Sequence, residues 1–300
     1  MIKILISGLT GFVGQNLSKY LLNNSFEINP ISLRNLNWKK NFEADVIIHL
    51  AGKAHDTKKS SDTSEYFKVN TDLTKELFDA FLESKARDFI YFSSVKAVAD
   101  EVIEVLYEDV LANPKTPYGQ SKLQAEEYIL SKEISQSKRV FIIRPCMIHG
   151  PGNKGNLNLF YNLVKKGIPY PLAAFHNERS FLGIDNLNFL IKEIILNKNI
   201  SSGIYNFADD EVLSTNQLVE IISSVANKKN LSIAIPKSII NSLGRIGDLI
   251  KLPLNSETIQ KLTENYRVSN QKIKTALGVD KLPNTAQQGL EKTIKSFINK

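Results

Sequence analysis

The feature that most constrains the fold is a glycine-rich turn near the start of the chain. Residues 2–7 are almost wholly apolar, Gly8-Leu-Thr-Gly11-Phe-Val-Gly14 follows at once, and residues 12–23 show helical spacing of apolar side chains. Such a turn lets the backbone approach a pyrophosphate, and the helix that follows offers free N–H groups and partial positive charge. The pattern predicts that a dinucleotide binds here, at Gly8, Thr10, Gly11, Phe12, Val13 and Gly14.

The rest of the first half alternates apolar runs with helical patterns. Short apolar runs occur at 45–50, 89–92 and 140–143, and helical segments are expected at about 64–84 and 118–133. Runs that are apolar throughout are typical of strands covered on both faces by helices. We therefore predict an α/β fold with a doubly wound parallel sheet of the Rossmann type.

After about residue 150 the rhythm changes to a polar loop and then mainly helical patterns. We expect residues 1–150 to form an NAD(P)-binding domain, with a returning strand near 203–208, and residues 151–300 to form mainly a smaller, interleaved cap that binds substrate. The apolar segment 238–250 allows contact with a membrane surface, but its two glycines weaken a helix. Packing onto the cap is the favoured interpretation of its apolar side.

Composition narrows the classes of partner. The single cysteine, Cys146, excludes an internal disulfide and fits packing in a reducing compartment. Lys and Arg outnumber Asp and Glu by 38 to 31, but the basic residues are scattered, so nucleic acid is not expected and an anionic small molecule is. No apolar stretch could span a bilayer, and the first residues run into a glycine turn and not a cleavage site. We expect a cytoplasmic protein with no bound metal.

Arg34 lies about 20 positions after the glycine turn, where the second strand is expected to end. A carboxylate there would bind the ribose hydroxyls of NAD, whereas an arginine suits a 2′-phosphate. Arg34 thus favours NADP slightly over NAD; the alternative is a solvated surface arginine. The short segment between residues 34 and 45 predicts a truncated crossover or a short edge strand near Trp38.

Tyr118 and Lys122 stand four residues apart at the start of a predicted helix and so share one face. A tyrosine with its ordinary pKa of about 10 is a poor base at neutral pH, but a nearby lysine and a positive nicotinamide favour the phenolate. Ser93 and Ser94 end a buried strand, where the ligand crevice of a doubly wound sheet forms. The alternative is a surface pair on an exposed helix.

These motifs together resemble one family. The glycine turn, 46–52, Phe92-Ser-Ser94, Tyr118-Gly-Gln-Ser-Lys122 and Arg144-Pro145 occur in the order found in extended short-chain dehydrogenase/reductases, in particular the NAD-dependent epimerase/dehydratase enzymes similar to UDP-glucose 4-epimerase. The resemblance implies Tyr118, Lys122 and Ser94 as catalytic residues, with Ser93 one register away. It also implies that Asn70 braces the central helix and that Lys122 holds the nicotinamide ribose. The cofactor would further be lined by Leu50, Ala51, Gly52, the loop to His55, and Pro145.

The same resemblance implies a sugar-nucleotide substrate, a UDP-sugar in the nearest members, and a homodimer. Arg179 corresponds to an arginine that binds the diphosphate, and Asn156 and Leu157 to contacts near it; a second such arginine has no clear counterpart, Arg245 and Arg267 being imperfect substitutes. Val95 and Lys96 stand where dehydratases carry an Asp-Glu pair, so water elimination is disfavoured. What remains is a C4 epimerase or a 4-keto-sugar reductase, with a non-catalytic NADP-binding protein as the hypothesis from another class.

Overall fold

The computed structural model describes residues 1–35, 38–54, 62–153, 156–250 and 255–298. Its strands are β1 (Lys3–Ser7), β2 (Glu27–Ile31), β3 (Val46–His49), β4 (Asp88–Phe92), β5 (Val105–Leu106), β6 (Arg139–Pro145), β7 (Met147–His149), β8 (Arg179–Gly183), β9 (Gly203–Phe207), β10 (Val212–Leu213) and β11 (Arg267–Val268). Its helices are α1 (Phe12–Leu22), α2 (Ser64–Phe67), α3 (Leu73–Glu83), α4 (Pro117–Leu130), α5 (Asn156–Lys165), α6 (Ile184–Leu196), α7 (Thr215–Val225), α8 (Lys237–Ile250), α9 (Ser256–Thr263), α10 (Gln271–Leu277) and α11 (Ala286–Ile298).

Six parallel strands form the main sheet in the order β2-β1-β3-β4-β6-β9, which confirms the predicted α/β fold. From β1 the chain moves outwards to β2 and then returns to the other side of β1 with β3. In such sheets ligands bind outside the carboxyl ends of the strands where this reversal occurs. The crevice therefore lies where β1 and β3 end, directly before the glycine turn and before Leu50.

Alternate residues of each strand enter two separate cores, because successive side chains of a strand point to opposite faces. Ile4 and Ile6 of β1 pack with α1 and α6, whereas Leu5 packs on the other face with α3 and α4. The same alternation in β3 and β4 explains why these strands are apolar at nearly every position. Cys146 is buried in the first core, where burial raises the pKa of its thiol well above the ordinary value.

The crossover from β2 to β3 is truncated, as predicted. It contains a 3₁₀ turn, Trp38–Asn41, and the described residues there contain no strand; the expectation of an edge strand near Trp38 was wrong, and β2 itself is the edge. Trp38 is buried against the α3 face of the sheet, with Phe42 edge-on to it. Its packing takes the place of the missing helix.

Chain order interleaves the remaining elements with the main sheet. The strand expected near 203–208 is β9. Its neighbours in sequence, β8 and β10, lie instead in a separate three-stranded sheet, where β8 is the central strand between β10 and β7. Helices α5, α7 and α11 pack together over Phe181 of that sheet. In addition, β5 from the first half pairs with β11 from the last third. Every helix in the described ranges is too short or too polar for a transmembrane span.

Candidate active site

The glycine turn brings the carboxyl ends of β1 and β3 into contact. Gly8 has φ of +75°, and a Cβ placed on it would lie 2.7 Å from the backbone nitrogen of Ala51. A Cβ on Gly14 would lie 2.4 Å from the carbonyl oxygen of Gly8, so α1 starts directly against the turn. The backbone N–H of Gly11 donates to that same carbonyl at 3.0 Å. Gly8 and Gly14 are therefore positions where the turn has no room for a larger side chain.

The first turn of α1 is open to an anion. No side chain of the described residues caps it, and it carries no acidic residue. Thr10 and Gly11 are exposed, and the backbone of Phe12 and Val13 begins the helix. Free N–H groups at a helix N-terminus bind phosphate oxygens. These residues fit the diphosphate of a dinucleotide.

Polar groups below the turn fix the β3 side of the crevice. The hydroxyl of Ser7 lies 2.5 Å from Nδ1 of His49 and accepts the backbone N–H of Ala51 at 3.2 Å, while His49 Nε2 lies 2.9 Å from the Thr74 hydroxyl. Burial, with a smaller effect of the Lys122 charge, lowers the pKa of His49 to about 3. His49 is therefore a neutral, fully bonded core residue.

Asn70 joins the loop after β3 to α4. It lies in a π-helical turn, Lys68–Asp72, between α2 and α3. Its Oδ1 accepts the N–H of Lys53 at 2.7 Å, and its Nδ2 donates to the carbonyl of Lys53 and to the hydroxyl of Ser121. The bracing role expected of Asn70 matches these contacts. His55 lies outside the described residues.

Tyr118 lies at the start of α4, beside the end of β4. Pro117 is the first residue of α4, and the Thr116 hydroxyl caps it by accepting the N–H of Gly119 at 3.2 Å. Burial raises the pKa of the Tyr118 phenol, a hydrogen bond with Ser94 opposes that change, and Tyr66 adds to it. The Tyr66 ring packs edge-on to Tyr118 at 6.4 Å between centroids. The protein by itself thus keeps Tyr118 protonated at neutral pH.

Ser93 and Ser94 point to different partners. Ser94 faces Tyr118 and accepts the N–H of Lys96 at 3.2 Å, whereas the Ser93 hydroxyl donates to Glu126. Glu126 also pairs with Arg144, the Nη2–Oε2 distance being 2.5 Å with both side chains buried. Of the two serines, only Ser94 lies beside the phenol. Ser93 belongs to a buried ion-pair network that the sequence did not reveal.

Lys122 is buried behind Tyr118 on the same helix. Its ammonium donates to the carbonyl of Phe92 at 2.8 Å, and a Cβ on Gly52 would lie 3.2 Å from it. Burial lowers the pKa of Lys122 to about 8, an effect that Glu126 opposes. The ammonium thus lies between the end of β4 and the loop after β3, inside the crevice.

Two expected cofactor contacts lie at the sheet's carboxyl edge. Pro145 ends β6 and is buried. Arg34, three residues beyond the end of β2 at Ile31, is exposed in a turn where the N–H of Asn35 donates to the Ser32 carbonyl. The second strand is thus shorter than expected at its carboxyl end. Arg34 still lies on the side of the crevice next to β1.

Arg179, the expected diphosphate ligand, begins β8 and is bound to the protein itself. Its guanidinium donates to the carbonyl of Lys261 in α9 and lies 3.9 Å from Glu264. Burial lowers the pKa of Arg179, and Glu264 opposes this. Leu157 is buried in the α5–α7–α11 core, so only its backbone could reach a ligand. Asn156 begins α5, and its side chain lies outside what the structure describes.

Lys96 follows Ser94 by two residues, and in the sequence it indicated only that no carboxylate stands at this position. Its ammonium lies 4.1 Å from the centroid of the Tyr266 ring and donates to the carbonyl of Asp100 at 2.6 Å. Burial lowers its pKa; Glu264 opposes this, and the charge of Arg179 adds to it. Lys96 and Arg179 therefore face the same region. The signal in the sequence that could have placed Lys96 here is its position two residues after Ser94.

His149 at the end of β7 is buried beside the cap. Its Nδ1 lies 3.0 Å from the Thr293 hydroxyl, and its Nε2 lies 3.8 Å from Asp209, which accepts the N–H of Gly183. These contacts join β7, β8 and α11. Within the described ranges, no group of three or more His, Cys, Asp and Glu residues is placed to hold a metal ion.

Comparisons with known proteins agree on one family. Residues 4–206 match the model of the NAD dependent epimerase/dehydratase family. The chain is 30% identical to the UDP-glucose 4-epimerase of Vibrio cholerae, over 98% of this chain and 95% of that protein. It is 29% identical to the N-acetyl-alpha-D-glucosaminyl-diphospho-ditrans,octacis-undecaprenol 4-epimerase of Escherichia coli O157:H7, over 84% and 77%. It is 26% identical to the GDP-6-deoxy-D-mannose reductase of Pseudomonas aeruginosa, over 75% and 80%.

Solved structures show the same fold. The UDP-glucuronic acid 4-epimerase of Bacillus cereus in complex with NAD has a TM-score of 0.78 at 18% identity, with 99% of both chains covered. RMD of Pseudomonas aeruginosa, in complex with NADPH, has a TM-score of 0.77 at 21% identity, with 98% of this chain and 99% of that chain covered. Both cofactor forms thus occur on this fold.

Proposed function

Because the chain belongs to the NAD-dependent epimerase/dehydratase family, and is thus an NAD(P)-dependent enzyme of the extended short-chain dehydrogenase/reductase type, we propose that it is a sugar-nucleotide C4 epimerase. The substrate would be a UDP-hexose or UDP-N-acetylhexosamine in polysaccharide or nucleotide-sugar biosynthesis. The observation that carries the proposal is the half-buried Tyr118 phenol, which faces Ser94 at the end of β4 with the buried Lys122 behind it on the same helix.

The chain's own residues divide the chemistry between them. Bound NAD(P) would supply a hydride acceptor, and then a donor, for the carbon at C4. Tyr118 takes the proton of the C4 hydroxyl as the ketone forms and gives it back when the ketone is reduced on its other face. Ser94 donates a hydrogen bond to the same oxygen, and Lys122 places a positive charge behind the phenol, which favours the phenolate. Val95 and Lys96 offer no carboxylate for elimination.

Electrostatics explain why the resting phenol keeps a raised pKa. Burial disfavours the phenolate, and the Lys122 ammonium donates to the carbonyl of Phe92 and not to the phenol. A cationic nicotinamide next to the phenol would oppose the effect of burial. Tyr118 would therefore act as a base once the oxidised cofactor is bound.

The substrate side rests on Arg179, which we propose as the diphosphate ligand. Its guanidinium now binds Lys261 and Glu264, and a diphosphate would displace the weaker of these contacts. The relatives act on a sugar that is joined either to UDP or to a diphospho-undecaprenol. The group common to both is a sugar 1-diphosphate, and the site fits that group. We further propose a cytoplasmic homodimer in which Gly8 to Gly14, Leu50 to Gly52, and Pro145 hold the cofactor.

A 4-keto-sugar reductase is the second candidate, and Arg34 favours it. The exposed guanidinium lies beyond β2, where a 2′-phosphate of NADP would lie. One relative is a GDP-6-deoxy-D-mannose reductase. A reductase releases its oxidised cofactor after each turnover, whereas an epimerase retains it.

One assay separates the candidates. The purified enzyme is incubated with UDP-hexoses, with UDP-N-acetylhexosamines and with a 4-keto-sugar nucleotide, each with and without added NADPH, and its cofactor is identified after acid release. Conversion between C4 epimers without added cofactor supports the epimerase. Oxidation of one NADPH for each 4-keto-sugar nucleotide that is reduced supports the reductase instead. Cofactor binding without turnover of any of these substrates would indicate the non-catalytic protein and contradict our proposal.

A further inference from the structure

The turn after β4 carries a cation next to the candidate catalytic residues. Lys96 lies in the 3₁₀ turn Val95–Ala97, whose N-cap is Ser94. A Cβ on Gly119 would lie 2.3 Å from the carbonyl oxygen of Lys96, so the turn packs against the start of α4, which carries Tyr118. A ligand that reaches Ser94 is therefore close to the segment that holds Lys96.

Two neutral groups hold the Lys96 ammonium and direct it towards β8. The ammonium donates to the carbonyl of Asp100 and lies over the ring of Tyr266. Tyr266 forms a β-bridge with Arg179, and its hydroxyl donates to the carbonyl of Ala99 at 2.7 Å. Tyr266 thus joins the turn of Lys96 to the first residue of β8. Neither contact of the ammonium neutralises its charge.

Glu264 is the carboxylate whose charge acts on both cations. It lies 3.9 Å from the Arg179 guanidinium and attracts the Lys96 ammonium. Its side chain is 15% exposed, and burial raises its pKa while the two cations oppose that change. In the parts of the chain that the structure describes, no group donates a hydrogen bond to this carboxylate, so charge attraction alone holds it. An anion that accepts hydrogen bonds from both cations would bind them more strongly.

The other carboxylates close to this cluster are committed to hydrogen bonds. Asp100 accepts the backbone N–H of Lys115 at 2.6 Å. Glu101 accepts the side-chain amide of Gln260 in α9. Glu264 is therefore the carboxylate of this group that can leave its place without losing a hydrogen bond.

We propose that Glu264 is the resident counter-ion of a diphosphate site formed by Lys96 and Arg179. A diphosphate carries more negative charge than one carboxylate, and its oxygens can accept from a guanidinium and an ammonium at once. Its entry displaces Glu264, which keeps the two cations together while the site is empty. The inference rests on the sugar-nucleotide function proposed above and adds Lys96 as a second cation. One hexose ring separates a diphosphate on C1 from the C4 oxygen, which suits a turn that begins at Ser94.

Isothermal titration calorimetry on the purified enzyme, saturated with NAD or NADP, tests this exchange of anions. UDP and GDP are each compared with their nucleosides, which lack the diphosphate. Glu264→Gln should lower the Kd of the diphosphate about fivefold or more, because no carboxylate then competes for the cations. Lys96→Met should raise that Kd about tenfold or more, and Lys96→Arg should stay within about threefold of the parent. The Kd of the nucleoside should not change in any variant.

Two matched controls remove similar groups elsewhere. Glu178→Gln removes a carboxylate that pairs with Arg267 at 3.2 Å, so it changes the net charge as Glu264→Gln does. Lys132→Met removes a lysine that lies 4.5 Å from the centroid of the Tyr128 ring, as Lys96 lies over Tyr266. Both controls should keep the Kd within about twofold of the parent, because exposed charges are screened by solvent.

The double variant Lys96→Met, Glu264→Gln separates this role from a structural one. The gain from Glu264→Gln should shrink in it, because Glu264 then competes for one cation and not two; an equal gain would overturn the shared site. The proposal is also overturned if Glu264→Gln binds the diphosphates no more tightly than the parent, or if Lys96→Met weakens nucleoside and diphosphate equally. A parent that binds neither diphosphate more tightly than its nucleoside has the same consequence. A parent that passes these tests but converts no UDP-sugar contradicts the proposed epimerase and not the counter-ion site.

Discussion

At the scale of single residues, the candidate site depends on which of several similar side chains faces the crevice. Tyr118 and Tyr128 are both on α4, but Tyr128 donates to Asp79 on the outer side of α3. Ser93 and Ser94 are adjacent, yet the hydroxyl of Ser93 donates to Glu126 whereas Ser94 faces Tyr118. These pairs supply matched controls within one element.

Replacing Tyr118 with Phe should lower kcat by about 10²- to 10⁴-fold, because the phenol is the proposed acceptor of the C4 hydroxyl proton. Cofactor content and the far-UV circular dichroism spectrum should be unchanged. Tyr128→Phe on the same helix should keep the parent kcat. Parent-like turnover by Tyr118→Phe would remove the basis of the proposed mechanism.

The two serines should respond to alanine in opposite ways. Ser94→Ala should lower kcat by about a hundredfold with little effect on stability, since it removes a hydrogen bond to the reacting oxygen. Ser93→Ala should leave kcat near the parent value but lower the free energy of unfolding by about 1–3 kcal/mol, because the buried Glu126 loses a donor. Steady-state kinetics and urea denaturation measure the two effects, and the reverse pattern would make Ser93 the catalytic serine.

His49 should make the fold sensitive to acid. Its pKa is about 3 in the folded protein, against an ordinary value of 6.5, so the unfolded chain binds the extra proton between these values. The stability that the neutral imidazole contributes is present at pH 7 and is lost progressively as pH falls below 6.5. Between pH 7 and pH 5 the loss should be about 2 kcal/mol. Urea unfolding of His49→Gln should show a weaker pH dependence than the exposed control His176→Gln; equal slopes would contradict this cause.

At the scale of elements, the strand–turn–helix unit works through close backbone contact. The turn places β1, β3 and α1 so near each other that even a methyl group would collide at Gly14. The crevice therefore exists before any ligand binds, because the backbone and not a side chain shapes it.

Gly14→Ala should lower the free energy of unfolding by about 1–3 kcal/mol, since its methyl would collide with the carbonyl of Gly8. In an uncrowded helix the same change would raise stability by about 1 kcal/mol. Gly11→Ala is the control: its Cβ would lie 3.2 Å from the same oxygen, and the expected loss is smaller. Urea denaturation of the cofactor-free proteins compares them. Equal stability of Gly14→Ala and parent would show that the turn has room.

At the scale of the whole molecule, the two parts of the chain are tied together at several points. In chain order β9 follows β8 and precedes β10 of the small sheet, yet β9 itself lies in the main sheet. In addition, β5 pairs with β11. His149 of β7 contacts Thr293 of α11. We therefore interpret residues 1–150 with β9 and the remainder as parts that fold together.

Unfolding should consequently be one cooperative transition. Trp38, the single tryptophan, is buried against the main sheet and reports on that part by fluorescence, while far-UV circular dichroism reports on all helices. Phe297→Ala in the α5–α7–α11 core, which costs about 3 kcal/mol, should lower both midpoints by the same amount. A shift in the dichroism signal without one in Trp38 fluorescence would show independent parts.

Local patterns determined much of this protein. The apolar runs, the glycine turn, and Tyr118 four residues before Lys122 predicted the sheet, the cofactor crevice and the candidate catalytic pair, because strand alternation, helix periodicity and turn geometry depend on neighbouring residues. The choice between Ser93 and Ser94 could be stated from the sequence only through a family resemblance.

Contacts between distant residues needed the tertiary structure. The Glu126–Arg144 pair, the position of Lys96 beside Arg179, and the bonds that keep His49 neutral join residues far apart in the chain, and no local periodicity encodes them. For α8 the apolar pattern was visible in the sequence, but only packing against α9 shows that its glycines face inwards and its larger aliphatic side chains mostly outwards. The reason is physical: periodicity gives the faces of an element, and only its neighbours decide which face is covered.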